Sequence, residues 1–339
     1  MATNSGWNRQ GREPGKLSLL ILALLATMTA VASPLASEEP ISPTQEHTPS
    51  DRKKIALGES LFHDVRLSHG DVVSCASCHG LDQGGDDGQA RTRAANGRLL
   101  DFNTPTVFNA ALNFRFNWRG NFRSLEAQNE AALLDPSLMN TTWPELLTKL
   151  STNSTYTGHF FAVYGKLPNR QNVLDALAAF QRSLVTPDAP FDRYLKGDRQ
   201  AMKAEEKRGY ELFKNYGCMA CHQGINVGGN LFQKFGIFAD PFVGQASISK
   251  ADLGRMTVTG RGADRHVFRV PSLRNVMLTA PYFHDGRTTS LSEAVRIMAR
   301  NQLGRELGAR DVADIVAFLA TLTGEYRGRA LSSQPDPRP

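Results

Sequence analysis

The sequence predicts a mainly α-helical protein built from two related domains, and three observations carry that prediction. A C-x-x-C-H unit occurs twice, at Cys75–His79 and at Cys218–His222. The stretches around the two units repeat one another in diverged form. Apolar residues recur at helical spacing, whereas runs that alternate apolar with polar are scarce.

C-x-x-C-H is the attachment signature of a c-type haem. Two thiols add to the two haem vinyl groups, and the next residue brings an imidazole under the iron. A zinc site or a thioredoxin-like redox pair are the rival readings, and a lone unit would leave them open. Here all four cysteines of the chain fall in the two units and none is left over. Cys75, Cys78, Cys218 and Cys221 are therefore expected to hold two haems covalently, with His79 and His222 as the proximal iron ligands. The remaining histidines, His47, His63, His69, His159, His266 and His284, are expected to be surface or structural groups. The fold class is then mainly α, with two cytochrome c-like haem domains whose long loops are filled out by large cofactors.

The repeat is the second support. "GESLFHDVRLSHGDVVSCASCHG" is followed by "PTVFNAALNFRFNWRGNFRSLEA", and "GYELFKNYGCMACHQG" by "PSLRNVMLTAPYFHDGRTTSLSEA". Asn109 to Gly120 and Asn275 to Gly286 share one spacing. Pro105 thus matches Pro271, Asn113 matches Thr279, and Trp118 matches His284. The domain boundary is expected near Asp198, giving domains at 51–198 and 199–326.

The helices are the third. Val173, Leu177, Phe180 and Leu184 predict a helix over 170–185. Val312, Ile315, Leu319 and Leu322 predict one over 309–323, with Gly324 as its C′ stop. Ser290 with Glu293 reads as a capping box ahead of "AVRIMAR".

The two ends read differently. Residues 1–32 resemble an export signal: Arg9, Arg12 and Lys16 precede an apolar run, Leu17 to Met28, and Ala30-Val31-Ala32 suits cleavage. An uncleaved membrane anchor is the alternative, although the run is short against the roughly 20 residues a span needs. Residues 33–50 read as a flexible lead-in and 327–339 as a disordered tail. Without residues 1–32 the chain carries 36 basic and 32 acidic residues, a net charge of +4. The basic residues are scattered, so nucleic-acid binding is not indicated. A mildly basic face suits an acidic protein partner.

Met298 lies on or just after a short helix of the second half. A thioether is a soft neutral ligand that raises the potential of a His-ligated haem. From spacing alone ordinary core is the better reading of Met298.

Together, "LGESLFHDVRLSHGDVVSCASCHG", "FNTPTVFNAALNFRFNW", "VPSLRNVMLTAPYFHDGRTTSLSEAVRIMARNQLG" and "DIVAFLATLTGE" resemble the bacterial di-haem cytochrome c peroxidase family, which includes the MauG-type protein-oxidising enzymes. The resemblance runs from about Leu57 to Glu325. It implies a peroxidatic haem on His79 and an electron-transfer haem on His222, with Met298 as the latter's second ligand. It implies that Trp118 bridges the haems and that Gln128 lies in the peroxide pocket. It also implies a calcium ion held by the Asn103 side chain and the carbonyls of Thr279 and Pro281, and a homodimer.

Two departures stand out. The family's capping histidine falls on Ala95, so the iron on His79 is expected to be open at rest. The family's acid–base glutamate falls on Leu138. Losing a positioned acid–base group typically costs about 10²–10⁴ in rate. Glu130 and Asp135 are the nearby carboxylates that could replace it, although solvated surface roles are the simpler reading of both, and a shift of the loop would bring in Asp86 or Asp87. The implied function is a periplasmic peroxidase that reduces hydrogen peroxide with electrons from a small cytochrome c or a cupredoxin. The alternatives are a MauG-like oxidase acting on a partner protein, or a non-enzymatic di-haem electron carrier or sensor.

Overall fold

The computed structural model describes residues 1–6, 39–45, 51–94, 97–244 and 247–332. Two units are distinguished, Met1–Glu39 and Pro40–Pro339. In the first, residues 1–6 are exposed and without regular structure; the expected export signal otherwise lies outside the described residues. Among the described residues no helix is long and apolar enough to cross a membrane.

In the second unit the first half contributes α1 (Arg52–Phe62), α2 (Leu125–Leu134), α3 (Trp143–Thr152), α4 (Ser154–Tyr164) and α5 (Arg170–Ser183). Helix α6 (Pro190–Leu195) precedes the expected boundary near Asp198 but packs its Phe191 in the second core, and the second half contributes α7 (Ala204–Asn215), α8 (Met256–Thr259), α9 (Leu291–Leu303) and α10 (Ala309–Ala320). Strand β1 (Phe232–Lys234) pairs antiparallel with β2 (Val267–Arg269), Phe232 opposite Arg269. A short hairpin, β3 (Glu325–Tyr326) and β4 (Arg329–Ala330), follows α10.

Each half is organised by one helix crossing, and the two crossings match. Where α1 meets α5, a Cβ on Gly58 would lie 2.0 Å from the Ala176 carbonyl oxygen. Where α7 meets α10, a Cβ on Gly209 would lie 1.8 Å from the Asp314 carbonyl oxygen. Only glycine lets the backbones come so close. Phe62 packs edge-on against Phe180 at 5.2 Å beside the first crossing, and Phe213 lies tilted against Phe318 at 5.2 Å beside the second. Val173, Leu177, Phe180 and Leu184 are buried in the first core, and Ile315, Leu319 and Leu322 in the second, with Val312 buried too. Both predicted helical faces are therefore core faces.

The repeat is equally plain in the loops. Asn109 and Asn275 both take left-handed φ, 57° and 59°, and both are buried. The Asn109 N–H donates to the Leu184 carbonyl and the Asn275 N–H to the Leu322 carbonyl. Both side-chain amides donate to the one Thr186 hydroxyl, at 2.7 and 3.0 Å. Bridges Phe116–Phe122 and Tyr282–Thr288 repeat at the same interval.

Three expectations need correction. Gly324 is not a C′ cap. Helix α10 ends at Ala320, and the Gly324 N–H donates to Asn275 Oδ1, where a Cβ would fall 2.2 Å from the Thr186 carbonyl oxygen. The lead-in is fixed where it is described. Ile41 is buried in the second core, the Thr44 N–H donates to Asp192, and Ser42 and Pro40 carbonyls accept from Arg274 and Gly224. The tail is held in place where it is described. Tyr326 meets Phe108, Arg327 pairs with Glu59, and Leu331 packs on the first core. The segment before the first half thus lies on the second core, and the segment after the second half lies on the first.

Candidate functional site

The two C-x-x-C-H units fold alike. Each begins in a short 3₁₀ turn, Cys75–Ser77 and Cys218–Ala220. In each, the histidine N–H donates to the first cysteine's carbonyl at 3.0 Å, which brings thiols and imidazole to one side. No disulfide joins the cysteines. Burial pushes the Cys75 thiol up to about 12 and the Cys218 thiol up to about 11. His79 donates from Nδ1 to the Gly85 carbonyl at 3.1 Å, and His222 to the Val227 carbonyl at 3.4 Å. That bond fixes the tautomer and leaves Nε2 with a lone pair for a metal. Burial holds both imidazoles below their ordinary range, His222 down to about 4, so both are neutral as ligation requires. Val227 is a β-branched residue at φ 47°, a strained backbone under the second histidine.

A cavity of about 400 Å³ opens over His222. Cys218, Cys221 and His222 line it together with Met298 of α9. Helix α9 is capped at its start by Ser290, whose hydroxyl accepts the Glu293 N–H. Among the described residues no Asp or Glu lines the cavity. Two thiols, a neutral imidazole, a thioether and apolar walls form a donor set that fits a covalently held haem.

In the first half, Gln128 sits on α2 with its Oε1 buried and without a hydrogen-bond partner. Such an orphaned acceptor fits a pocket whose occupant is a cofactor and its ligand. Leu138 is half-buried in the turn between α2 and α3. Glu130 is no spare acid: Arg170 grips it through two bonds of 2.5 Å, and the Trp143 indole donates to it at 2.8 Å. Those partners hold its carboxyl below the usual range. Asp135 is exposed and caps the Ser137 N–H, and Asp87 accepts from Gln89 and the Thr92 hydroxyl. Asp86 is 5% exposed, and burial pushes its carboxyl up to about 6. Ala95 lies outside the described residues.

Between the halves lies a reciprocal backbone exchange. The Asn103 N–H donates to the His284 carbonyl at 2.8 Å, and the Arg269 N–H to the Trp118 carbonyl at 2.8 Å. These are matched pairs of the repeat, Asn103 with Arg269 and Trp118 with His284. The Trp118 indole also donates to the Asn103 carbonyl at 2.8 Å. The Trp118 and His284 rings stand edge to face at 6.4 Å. His284 is buried, bonded to Asp252 at 2.8 Å and stacked on Phe268. Asn103, Thr279 and Pro281 line the same cavity as His222. The Asn103 amide nitrogen is spent on the Gln89 carbonyl, which leaves its oxygen as the atom a hard cation would use. Sequence reading missed Asp252 and Arg269. The repeat held a signal for Arg269, which stands two residues before Pro271 as Asn103 stands before Pro105.

Residues 52–200 match the family model described as di-haem cytochrome c peroxidase, and residues 206–323 the model described as cytochrome c. The chain is 42% identical over 295 residues to the cytochrome c peroxidase Ccp of Escherichia coli, covering 87% of this chain and 63% of that one. It spans less than two thirds of that relative's length. It is 40% identical over 310 residues to the cytochrome c551 peroxidase of Nitrosomonas europaea, covering 91% of each. Among solved structures, a MauG-like protein associated with microbial copper homeostasis superposes with a TM-score of 0.73 at 26% identity, covering 86% of this chain and 95% of that one.

Proposed function

The chain belongs to the di-haem cytochrome c peroxidase family, and from that membership we propose that it reduces hydrogen peroxide to water in the periplasm, with electrons from a small soluble cytochrome c or a cupredoxin. One observation supports the division of labour most. The surroundings of the two matching histidine frames differ: Met298 lines the same cavity as His222, while the first half carries on α2 a Gln128 whose buried oxygen is unsatisfied.

Bound at the two frames, the haems supply peroxide cleavage at one iron and one-electron storage at the other. Cys75 and Cys78 tether the first and Cys218 and Cys221 the second. His79 and His222 hold the irons through Nε2, each oriented by its backbone acceptor. The Gln128 amide orients peroxide. Met298 raises the potential of the second haem by supplying a neutral sulfur. Trp118, fixed between the halves by the Asn103 and Arg269 bonds, spans the electron path. Asn103, Thr279 and Pro281 hold a calcium ion. Residues 1–32 direct export, the halves divide near Asp198, and the enzyme works as a homodimer. The test is steady-state oxidation of a reduced small cytochrome c by hydrogen peroxide. Turnover well above that of a free haem peptide is expected, and turnover no better than that peptide's would overturn the proposal.

Leu138 favours a second reading, a di-haem electron carrier or sensor that binds peroxide without turning it over. A MauG-like oxidase is less well served, because Met298 supplies a thioether where that mode of action uses a tyrosine.

A further inference from the structure

Two arginines are buried in the second half, and they are treated differently. Arg274 is 1% exposed and paired with Asp192, which is itself fully buried, at 2.9 Å. Arg269 is 5% exposed and makes no ion pair among the described residues. Its donors go to neutral acceptors: Nε to the Asn117 carbonyl, Nη1 to Asn113 Oδ1 and to the Val270 carbonyl, all at 3.3 Å. A guanidinium buried without an anion is strongly unfavourable. No carboxylate offsets its burial, which alone pulls it down to about 10. Arg269 lines the cavity that His222 and Met298 share. Among the described residues that line it, Arg269 is the only arginine, Lys234 is the only lysine, and there is no Asp or Glu.

A cavity with a buried cation and no acid calls for a carboxylate carried by its occupant. We propose that Arg269 is the fixed counter-charge of a propionate on the haem held by His222, and that it sets that haem's potential. The inference rests on His222 being a haem ligand. It goes further in naming the residue that meets the cofactor's negative edge. The same guanidinium holds Asn113 and Asn117, and the backbone N–H of Arg269 holds Trp118. One cation therefore ties the second haem to the segment that carries the bridging indole. At the matched position the first half has the neutral Asn103.

The test is a spectroscopic redox titration of the holoprotein and of Arg269→Gln and Arg269→Lys. Removing a cation beside the haem favours the oxidised iron. In Arg269→Gln the reduction equilibrium of the His222 haem should shift about tenfold toward oxidised, or about 59 mV for one electron. Arg269→Lys should recover most of that shift, which a merely structural role for Arg269 would not predict. An unchanged midpoint in Arg269→Gln overturns the proposal. A midpoint that follows the concentration of chloride or phosphate at constant ionic strength also overturns it, in favour of a free anion. If Arg269→Gln fails to mature, redox-difference infrared spectra of Arg269→Lys decide, with a shifted propionate carboxylate band expected and an unshifted one contradicting. Absence of a second c-type absorption in the unmutated protein would instead mean that the reading of His222 is wrong.

Discussion

His79 and His222 are held by the same device, an Nδ1 bond to a backbone carbonyl five or six residues on, at 3.1 and 3.4 Å. The helix crossings beneath them use the same glycine contact, and the asparagine turns after them share one conformation. What differs is the set of side chains placed on that frame. The second half brings a thioether and a buried guanidinium to its cavity. The first keeps an amide with an unpaired oxygen and puts leucine where an acid is expected. The two halves share the parts that fix geometry and differ at the positions proposed to set charge and ligation.

The strongest way to break this comparison is to remove one frame at a time. His79→Ala should abolish peroxide turnover while leaving the redox titration of the second haem intact. His222→Ala should abolish oxidation of the donor cytochrome while peroxide still perturbs the first haem's spectrum. Symmetric outcomes in stopped-flow spectra would mean that the halves share one role.

Next in size is Leu138→Glu. Restoring an acid should raise turnover by about 10²–10⁴, the usual range for a positioned acid–base group. Unchanged steady-state rates would show that another group already carries the proton. Glu130 is poorly suited to do so, with its charge committed to Arg170.

The shared architecture is tested by its aromatics. Phe180→Ala and Phe318→Ala should each destabilise by about 3–5 kcal/mol, as large core truncations do. Urea denaturation should give losses of similar size. A large loss at only one would mean that the two crossings are not energetically alike.

The smallest expected effect separates the halves by pH. Asp86 is raised by burial in the folded protein to about 6, from an ordinary 3.8. The folded state therefore binds more protons than the unfolded state between those values, and stability falls as pH rises through that window. Asp86→Asn should be more stable than the parent at pH 7, by up to on the order of 3 kcal/mol at about 1.4 kcal/mol per pKa unit. That advantage should vanish below pH 4. A stability difference that is constant from pH 4 to 7 would contradict this.

Much of the frame was legible because it is local. C-x-x-C-H spacing and the matched Asn109 and Asn275 stretches are short patterns, and the apolar faces of α5 and α10 are periodic. Arg269 was not legible as a site because its isolation is a property of the fold: only the assembled cavity shows that no acid faces it. The crossing of the chain ends was hidden for the same reason. "PISPT" is polar and proline-rich by composition, yet Ile41 is buried in the second core with residues distant in sequence such as Phe191 and Phe318. The commitment of Glu130 to Arg170 across 40 residues likewise leaves no local trace.

The central claim, that the first iron is open and the second closed by Met298, is tested most directly by the low-temperature electron paramagnetic resonance spectrum of the fully oxidised enzyme, before and after peroxide. One high-spin and one low-spin haem are expected at rest, with the high-spin signal lost on adding peroxide and no prior reduction needed. Two low-spin signals unmoved by peroxide would contradict it.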